Sequence, residues 1–172
     1  MMDEFAINDL DRIGTHILKL SKAATLEAIG RLKPGTYRHS MRIDGLESAV
    51  DLVAEMTIGE TGIDVDFTGT SGISSYGINV PMCYTEAYAS FGVKCIAAPD
   101  VPNNAGSLSV IRITAPEGSI LNAKHPAPVS VRHVTGQMLP DVVFGCLNQA
   151  IGDAVPAEGT SCLWNLYAFG GP

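Results

Sequence analysis

The chain lacks any apolar run long enough to cross a bilayer as a helix, which takes about 20 residues. It also lacks the basic-then-apolar start of a secretory signal. Membrane insertion and export are therefore not expected, and a cytoplasmic protein is. Cysteine is scarce. Cys83, Cys95, Cys146 and Cys162 are the four present, and none makes a CxxC pair. Neither a disulfide framework nor a paired-ligand zinc site follows from that spacing, and four reduced, mostly buried thiols are expected. Basic residues are outnumbered 11 to 18, giving a net charge of −7. Nucleic acid and anionic membrane both require a basic patch, so neither is expected as a partner. HExxH, GxSxG, P-loop and GxGxxG patterns are all missing, so spacing alone yields no catalytic constellation.

What is present suits a folded domain. The 172 residues are 46% apolar and 17% charged. A chain of this length buries about 68–70% of its unfolded surface, enough for a real core. One domain over residues 1–172 is expected.

Periodicity sets the elements. Leu10, Ile13, Ile17, Leu20, Ala24 and Ala28 recur at steps of three and four, which predicts a helix with those residues on one apolar face. Asn8 or Asp9 would cap it, and Gly30 and the Lys33-Pro34-Gly35 break would end it. Residues 36–43 predict a strand. Val50, Leu52, Ala54, Met56 and Ile58 alternate with polar neighbours in the clearest strand of the chain. Gly59 and Gly62 bracket a hairpin turn onto residues 63–67. A long helix is expected over 79–97, with Asn79 as N-cap, Pro81 in its first turn, and Gly92 marking close packing. Residues 98–106 form a shaped loop, 109–114 a short strand, and 124–128 an extended polyproline-like piece. A further helix is expected over 135–151, and a last strand over 161–169 with Leu163, Trp164, Leu166, Tyr167 and Phe169. The expected class is α+β: an antiparallel β-meander packed with two or three long helices, with a loop-rich second half.

The stretch 65–81, VDFTGTSGISSYGINVP, organises the rest. A strand empties into a loop rich in hydroxyls and glycines, and a helix follows. Such a loop puts polar groups on a rigid frame. The helix start beside it would suit a carboxylate or phosphate; the loop could equally just cap the helix. Asp64 and Asp66 share one strand face, their side chains roughly 7 Å apart, a spacing that could hold a divalent cation or belong to a solvated face.

The polar loops carry a family resemblance. VDFTGTS at 65–71, INVP at 78–81, PDVPNNAG at 99–106, APEGSILN at 115–122 and VRHV at 131–134 occur in this order, and AFGG closes at 168–171. The chain resembles the hydantoinase B family, which also includes the large subunits of acetone and acetophenone carboxylases and the B-type half of 5-oxoprolinase. The resemblance runs from about Leu10 to the end and is to an internal segment of such a subunit. It implies an ATP-dependent ring opening of a cyclic amide (hydantoin, N-methylhydantoin or 5-oxoproline) or carboxylation of a ketone. It also implies a hetero-oligomer with a hydantoinase A-type partner. ATP and a divalent metal are implied for the whole assembly. No metal or cofactor is assigned to this segment, which on its own is expected to be inactive.

Placed on this sequence, the matching loops nominate Thr68, Gly69, Thr70, Ser71, Asn79, Asn104 and Gly106 for binding substrate. Arg132 is the best single cation, because its fork can bind a carboxylate or phosphate; a salt bridge to Asp141 or Glu117 is the alternative. Asp66 and His133 are the candidates for general base, although His133 stands where the family more usually has a polar amide. If these groups form a site, Thr70, Asn104 and Arg132 should face one cleft. If the segment is only a scaffold, an exposed apolar patch near Trp164 and Phe169 is expected.

Overall fold

The computed structural model describes residues 9–159 and residue 170. The strand expected over 161–169, with its apolar patch, and Cys162 lie outside the described residues.

Helix α1 (Leu10–Ile29) opens the chain. Asp9 caps it by accepting a hydrogen bond from the Arg12 amide at 3.1 Å. Strands β1 (Gly35–Ile43), β2 (Val50–Gly59) and β3 (Gly62–Asp66) follow as an antiparallel meander, with Gly59 opposite Gly62 at the hairpin. Gly62 takes φ +132°, and a Cβ there would stand 2.0 Å from the Val110 carbonyl oxygen, so the turn needs glycine. The alternation in β2 reads directly as burial. Val50, Leu52, Ala54, Met56 and Ile58 are all buried on one face, with Ile63 and Val65 beside them.

Helix α2 (Met82–Ala97) then crosses to a short helix α3 (Ala105–Leu108) and to β4 (Ile111–Thr114). β4 pairs parallel with β3, Ile63 opposite Ile111. The sheet, in order β1-β2-β3-β4, is therefore the expected three-stranded antiparallel meander with a fourth strand added in parallel. The α2 crossover is what lets β4 run the same way as β3. Helices α4 (His133–Gly136) and α5 (Leu139–Ile151) complete the fold, with a 3-10 turn after them. The single helix expected over 135–151 is broken between α4 and α5, just before Pro140, which has no amide to donate.

α5 packs on β1, β2 and α2, and α2 also packs on β4. Leu139, Val142, Val143, Cys146 and Leu147 form its buried stripe. Gly92 lets the two helices touch, as expected: a Cβ there would sit 2.9 Å from Pro140 Cα. Burial pushes the Cys146 thiol up to about 11. Cys83 and Cys95, in contrast, are exposed, against the expectation of mostly buried thiols, because both lie on the outer side of α2.

α1 does not bury its apolar stripe. Its buried residues are Ser21, Thr25 and Ile29, and it packs chiefly on α3. Leu10, Ile13, Ile17 and Leu20 are exposed instead. Residues 124–128 are not extended either. A turn closes there, with the Ala127 amide donating to the Lys124 carbonyl, and the His125–Pro126 bond is cis. Among the described residues no helix is long and apolar enough to cross a membrane.

Candidate functional site

The polar loops meet at one end of the sheet. Beyond β3 the chain stays against β2, but hydroxyls take over part of the strand ladder. Thr70 Oγ1 accepts from the Val53 amide at 3.0 Å and donates to the Val53 carbonyl at 3.2 Å. Ser71 Oγ accepts from the Asp51 amide at 2.9 Å, and the Ser71 amide donates to the Asp51 carbonyl at 2.9 Å. Gly69 takes φ +98° where the chain bends out of β3.

The next loops are tied to this one. The Ile120 amide donates to the Ser71 carbonyl at 2.8 Å, and Gly72 bridges Ser119. The Val80 amide donates to the Ile120 carbonyl, and the Ala123 amide to the Val80 carbonyl. Thr85 Oγ1 donates to the Leu121 carbonyl at 2.7 Å. The Val131 amide donates to the Gly77 carbonyl, and Gly77 is glycine because a Cβ would meet Ser130 Oγ at 2.2 Å. Asn79 is at the centre. Its Oδ1 accepts from the Ser74 amide, and its Nδ2 reaches the carbonyls of Ser74, Tyr76 and Pro128, each at 2.9 Å. Four of the five sequence blocks are thus one stitched unit.

Glu47 locks the unit from outside. Its carboxylate accepts from the Ser75 amide and from the Ser74 and Ser75 hydroxyls. Those donors hold its carboxyl below the usual glutamate range. Sequence reasoning missed Glu47, and no local signal marks it: it is a lone acid in a turn, 27 residues from Ser74.

Each nominated residue has a place. Asp66 Oδ1 accepts from the Thr68 amide and hydroxyl and lies 3.3 Å from Thr114 Oγ1, so it caps its own turn. Its neighbour Asp64 forms a bidentate ion pair with Arg112, Nη2 to Oδ2 at 2.6 Å. Asn79 does not cap α2, which begins after Pro81; its side chain is spent on the loops. Asn104 caps α3 in a capping box and donates to Ser21 Oγ at 2.8 Å. Gly106 lets α3 touch α1, since a Cβ would be 2.1 Å from the Leu18 carbonyl oxygen. Arg132 is exposed. Its guanidinium lies 5.8 Å from the centre of the Tyr84 ring and donates to the Val129 carbonyl. Tyr84 stacks on Tyr88 at 4.5 Å, and burial, more than any other cause, pushes its hydroxyl up to about 12. His133 begins α4.

Thr70 is therefore fixed to β2, Asn104 to α1, and Arg132 to Tyr84 on α2. The structure gathers Thr68, Gly69, Thr70, Ser71 and Asn79 at one end but leaves Asn104 and Gly106 at the α1–α3 contact. Among the described residues no group of three or more His, Cys, Asp or Glu is arranged to hold a metal ion. The described residues therefore offer no fit for a divalent metal.

The Hydantoinase B/oxoprolinase family model matches residues 1–171. The chain belongs to the hydantoinase B/oxoprolinase family. An uncharacterised protein of Methanocaldococcus jannaschii is 37% identical over 121 residues, 70% of this chain and 22% of its own length. A Pseudomonas protein designated the B component of a D-/L-hydantoinase is 27% identical over 171 residues, 91% of this chain and 29% of its own. This family member thus spans less than a third of either relative. Two solved structures share its fold. The ATP-dependent caprolactamase of Pseudomonas jessenii superposes with a TM-score of 0.78 at 19% identity, over 89% of this chain and 27% of that one. A nucleotide-free acetone carboxylase superposes with a TM-score of 0.66 at 15% identity, over 76% and 19%.

Proposed function

We propose that this chain serves as the framework segment of an ATP-dependent enzyme that opens cyclic amide rings, working with a hydantoinase A-type subunit in a cytoplasmic hetero-oligomer. One observation carries the reading: a hydantoinase B/oxoprolinase match that runs across the chain. The designated hydantoinase component among its relatives supports a cyclic amide as substrate. An ATP-dependent caprolactamase shares the fold, in keeping with ring opening.

Within that assembly the chain's polar loops act by position. The bonds around Asn79 and Thr70 consume the hydroxyls and amides that the sequence offers, so these groups shape the frame instead of reacting. ATP and any divalent metal belong to the partner or to parts of the assembly outside this segment. The isolated chain is then inactive. A pure interface role is the second reading, favoured by the exposed apolar side of α1.

Co-expression with a hydantoinase A-type subunit tests the proposal. The purified complex should hydrolyse ATP when given hydantoin, N-methylhydantoin, 5-oxoproline or caprolactam, and neither chain should do so alone. ATP use driven only by acetone and bicarbonate would transfer the chain to the carboxylases. A stable complex with no turnover of any of them would leave the interface role.

A further inference from the structure

β1 is an edge strand with an open side. Sheet order puts it at one end, paired to β2. The Asp51 and Val53 amides of β2 turn the other way, to the Ser71 and Thr70 hydroxyls. Strand groups alternate, so Val50, Leu52, Ala54 and Met56 turn toward β1 and meet Ile43, Met41, His39 and Tyr37. The amides and carbonyls of Thr36, Arg38, Ser40 and Arg42 therefore point away from the sheet. The Gln149 side chain reports the same direction, since its Nε2 donates to the Arg38 carbonyl at 2.8 Å. Among the described residues no strand pairs with that side. Natural edges are blunted by proline, by a bulge or by short length. β1 is nine residues long, has no proline, and pairs with β2 without a bulge, whereas the other edge strand, β4, has four residues.

Two cavities flank this edge on the α5 side. One of about 610 Å³ is lined by Met41 and Ile43 with Val134 and Met138. The other, of about 570 Å³, is lined by His39 with Phe144 and Gln149. His39, Met41 and Ile43 are alternate residues of β1, share one face and are only half-buried. Three acids line the two cavities: Asp44 in the first, Asp153 in the second and Glu158 in both. The one guanidinium, Arg42, is held by both oxygens of Asp51, at 2.6 and 2.7 Å. His39 Nε2 lies 3.4 Å from Glu158, while Asp44 and Asp153 have no ion pair among the described residues.

We propose that the outer edge of β1 takes an extended, basic segment of a partner protein as a fifth strand, with alternate lysine or arginine side chains entering the two cavities. In such pairing the backbone ladder supplies affinity and the pockets for alternate side chains supply specificity. Long basic side chains lay their methylenes on Met41 and Ile43 and carry their charge to Asp44, Asp153 and Glu158. A second copy of this chain does not suit the edge. It would bring the same acids together and set Arg38 and Arg42 against their own kind, and like charges across a strand pair are destabilising. An acidic segment meets the three acids with the same result. The net charge of −7 adds long-range attraction for a basic one. The inference stands apart from the ring-opening reading, since no substrate, ATP or turnover enters it.

The test is an amide NMR titration of the full chain with the peptide acetyl-Thr-Lys-Thr-Lys-Thr-Lys-Thr-amide. Saturable shifts and slowed amide exchange are expected at Thr36, Ser40 and Arg42. The same peptide with glutamate in place of lysine should bind at least about tenfold more weakly. N-methylation of one alternate set of peptide amides should abolish binding, and of the other set should leave it within about threefold. Ser40→Pro deletes an outward amide, which an edge strand tolerates, and should weaken binding at least about tenfold with the fold kept. Asp44→Asn combined with Asp153→Asn should weaken the lysine peptide by about tenfold. The proposal would be overturned by no saturable shift at the three amides, by equal binding of Ser40→Pro, or by a glutamate peptide that binds as well. Equal loss from both methylation patterns would also overturn it, as would a dimer of the chain alone that Ser40→Pro dissolves. Should Ser40→Pro fail to fold, the native titration and the methylated peptides still decide.

Discussion

Thr70 and Val53 exchange two hydrogen bonds through a single hydroxyl, which accepts from the Val53 amide and donates to its carbonyl. A side chain thereby substitutes for one rung of the β2–β3 ladder. Removing it leaves two strand groups without partners. Thr70→Val should lower stability by about 1–3 kcal/mol, and Thr70→Ser should recover most of it. Urea unfolding of the two variants checks this. A Thr70→Val chain as stable as the parent would mean the hydroxyl is free for other work.

Gly92 faces the Pro140 backbone, and two effects of opposite sign compete there. Alanine favours an exposed helix interior over glycine by about 1 kcal/mol. Here a Cβ would be 2.9 Å from Pro140 Cα, a contact that cannot be relieved by turning a side chain. Overpacking of this kind costs about 1–3 kcal/mol, so Gly92→Ala should be destabilising overall. A raised melting temperature would show that α2 and α5 can separate freely.

Glu47 predicts an acid limb. Its folded carboxyl is held below the ordinary glutamate value of 4.5 by the Ser75 amide and the Ser74 hydroxyl, chiefly the former. The unfolded chain therefore takes up the proton at higher pH than the folded chain does. The stabilisation is complete above about 4.5 and is lost as pH falls through the lower folded value. The stability gap between the parent and Glu47→Gln should thus close on acidification. Urea midpoints from pH 7 to pH 3 measure it, and parallel curves would contradict the assignment.

The exposed side of α1 carries Leu10 at 58%, Ile17 at 50% and Leu20 at 56% exposure. Placing a charge there should cost little. Ile17→Glu is expected to change stability by no more than about 0.5 kcal/mol, whereas Ile29→Ala, on the buried side, should cost about 2–5 kcal/mol. Comparable losses at the two positions would mean that this surface is covered.

Legibility in the sequence divides along physical lines. β2 and α5 are readable because their apolar residues meet the core at the period of their own secondary structure. α1 has the same kind of stripe, but periodicity reports amphipathicity and does not say which side faces the core. Its contact with α3 is made through Ser21 and the bare backbone beside Gly106. The direction of β4 is not readable, since alternation is the same in parallel and antiparallel strands. Thr70, Ser71 and Asn79 are small polar residues in a loop, and such residues serve equally as ligands or as stitching. Only the partners at Val53, Asp51, Ser74 and Pro128, most of them far away in sequence, distinguish the two.

The central claim is that four separated blocks fold as one cooperative unit around Asn79. Amide hydrogen exchange at Asp51, Val53, Val80, Ile120, Ala123 and Val131 tests it most directly, in the native chain and in Asn79→Ala. The account predicts a shared opening event for all six amides and a similar acceleration of all six in the variant. Acceleration confined to Ala123 and Val131, with Asp51 and Val53 unchanged, would contradict it.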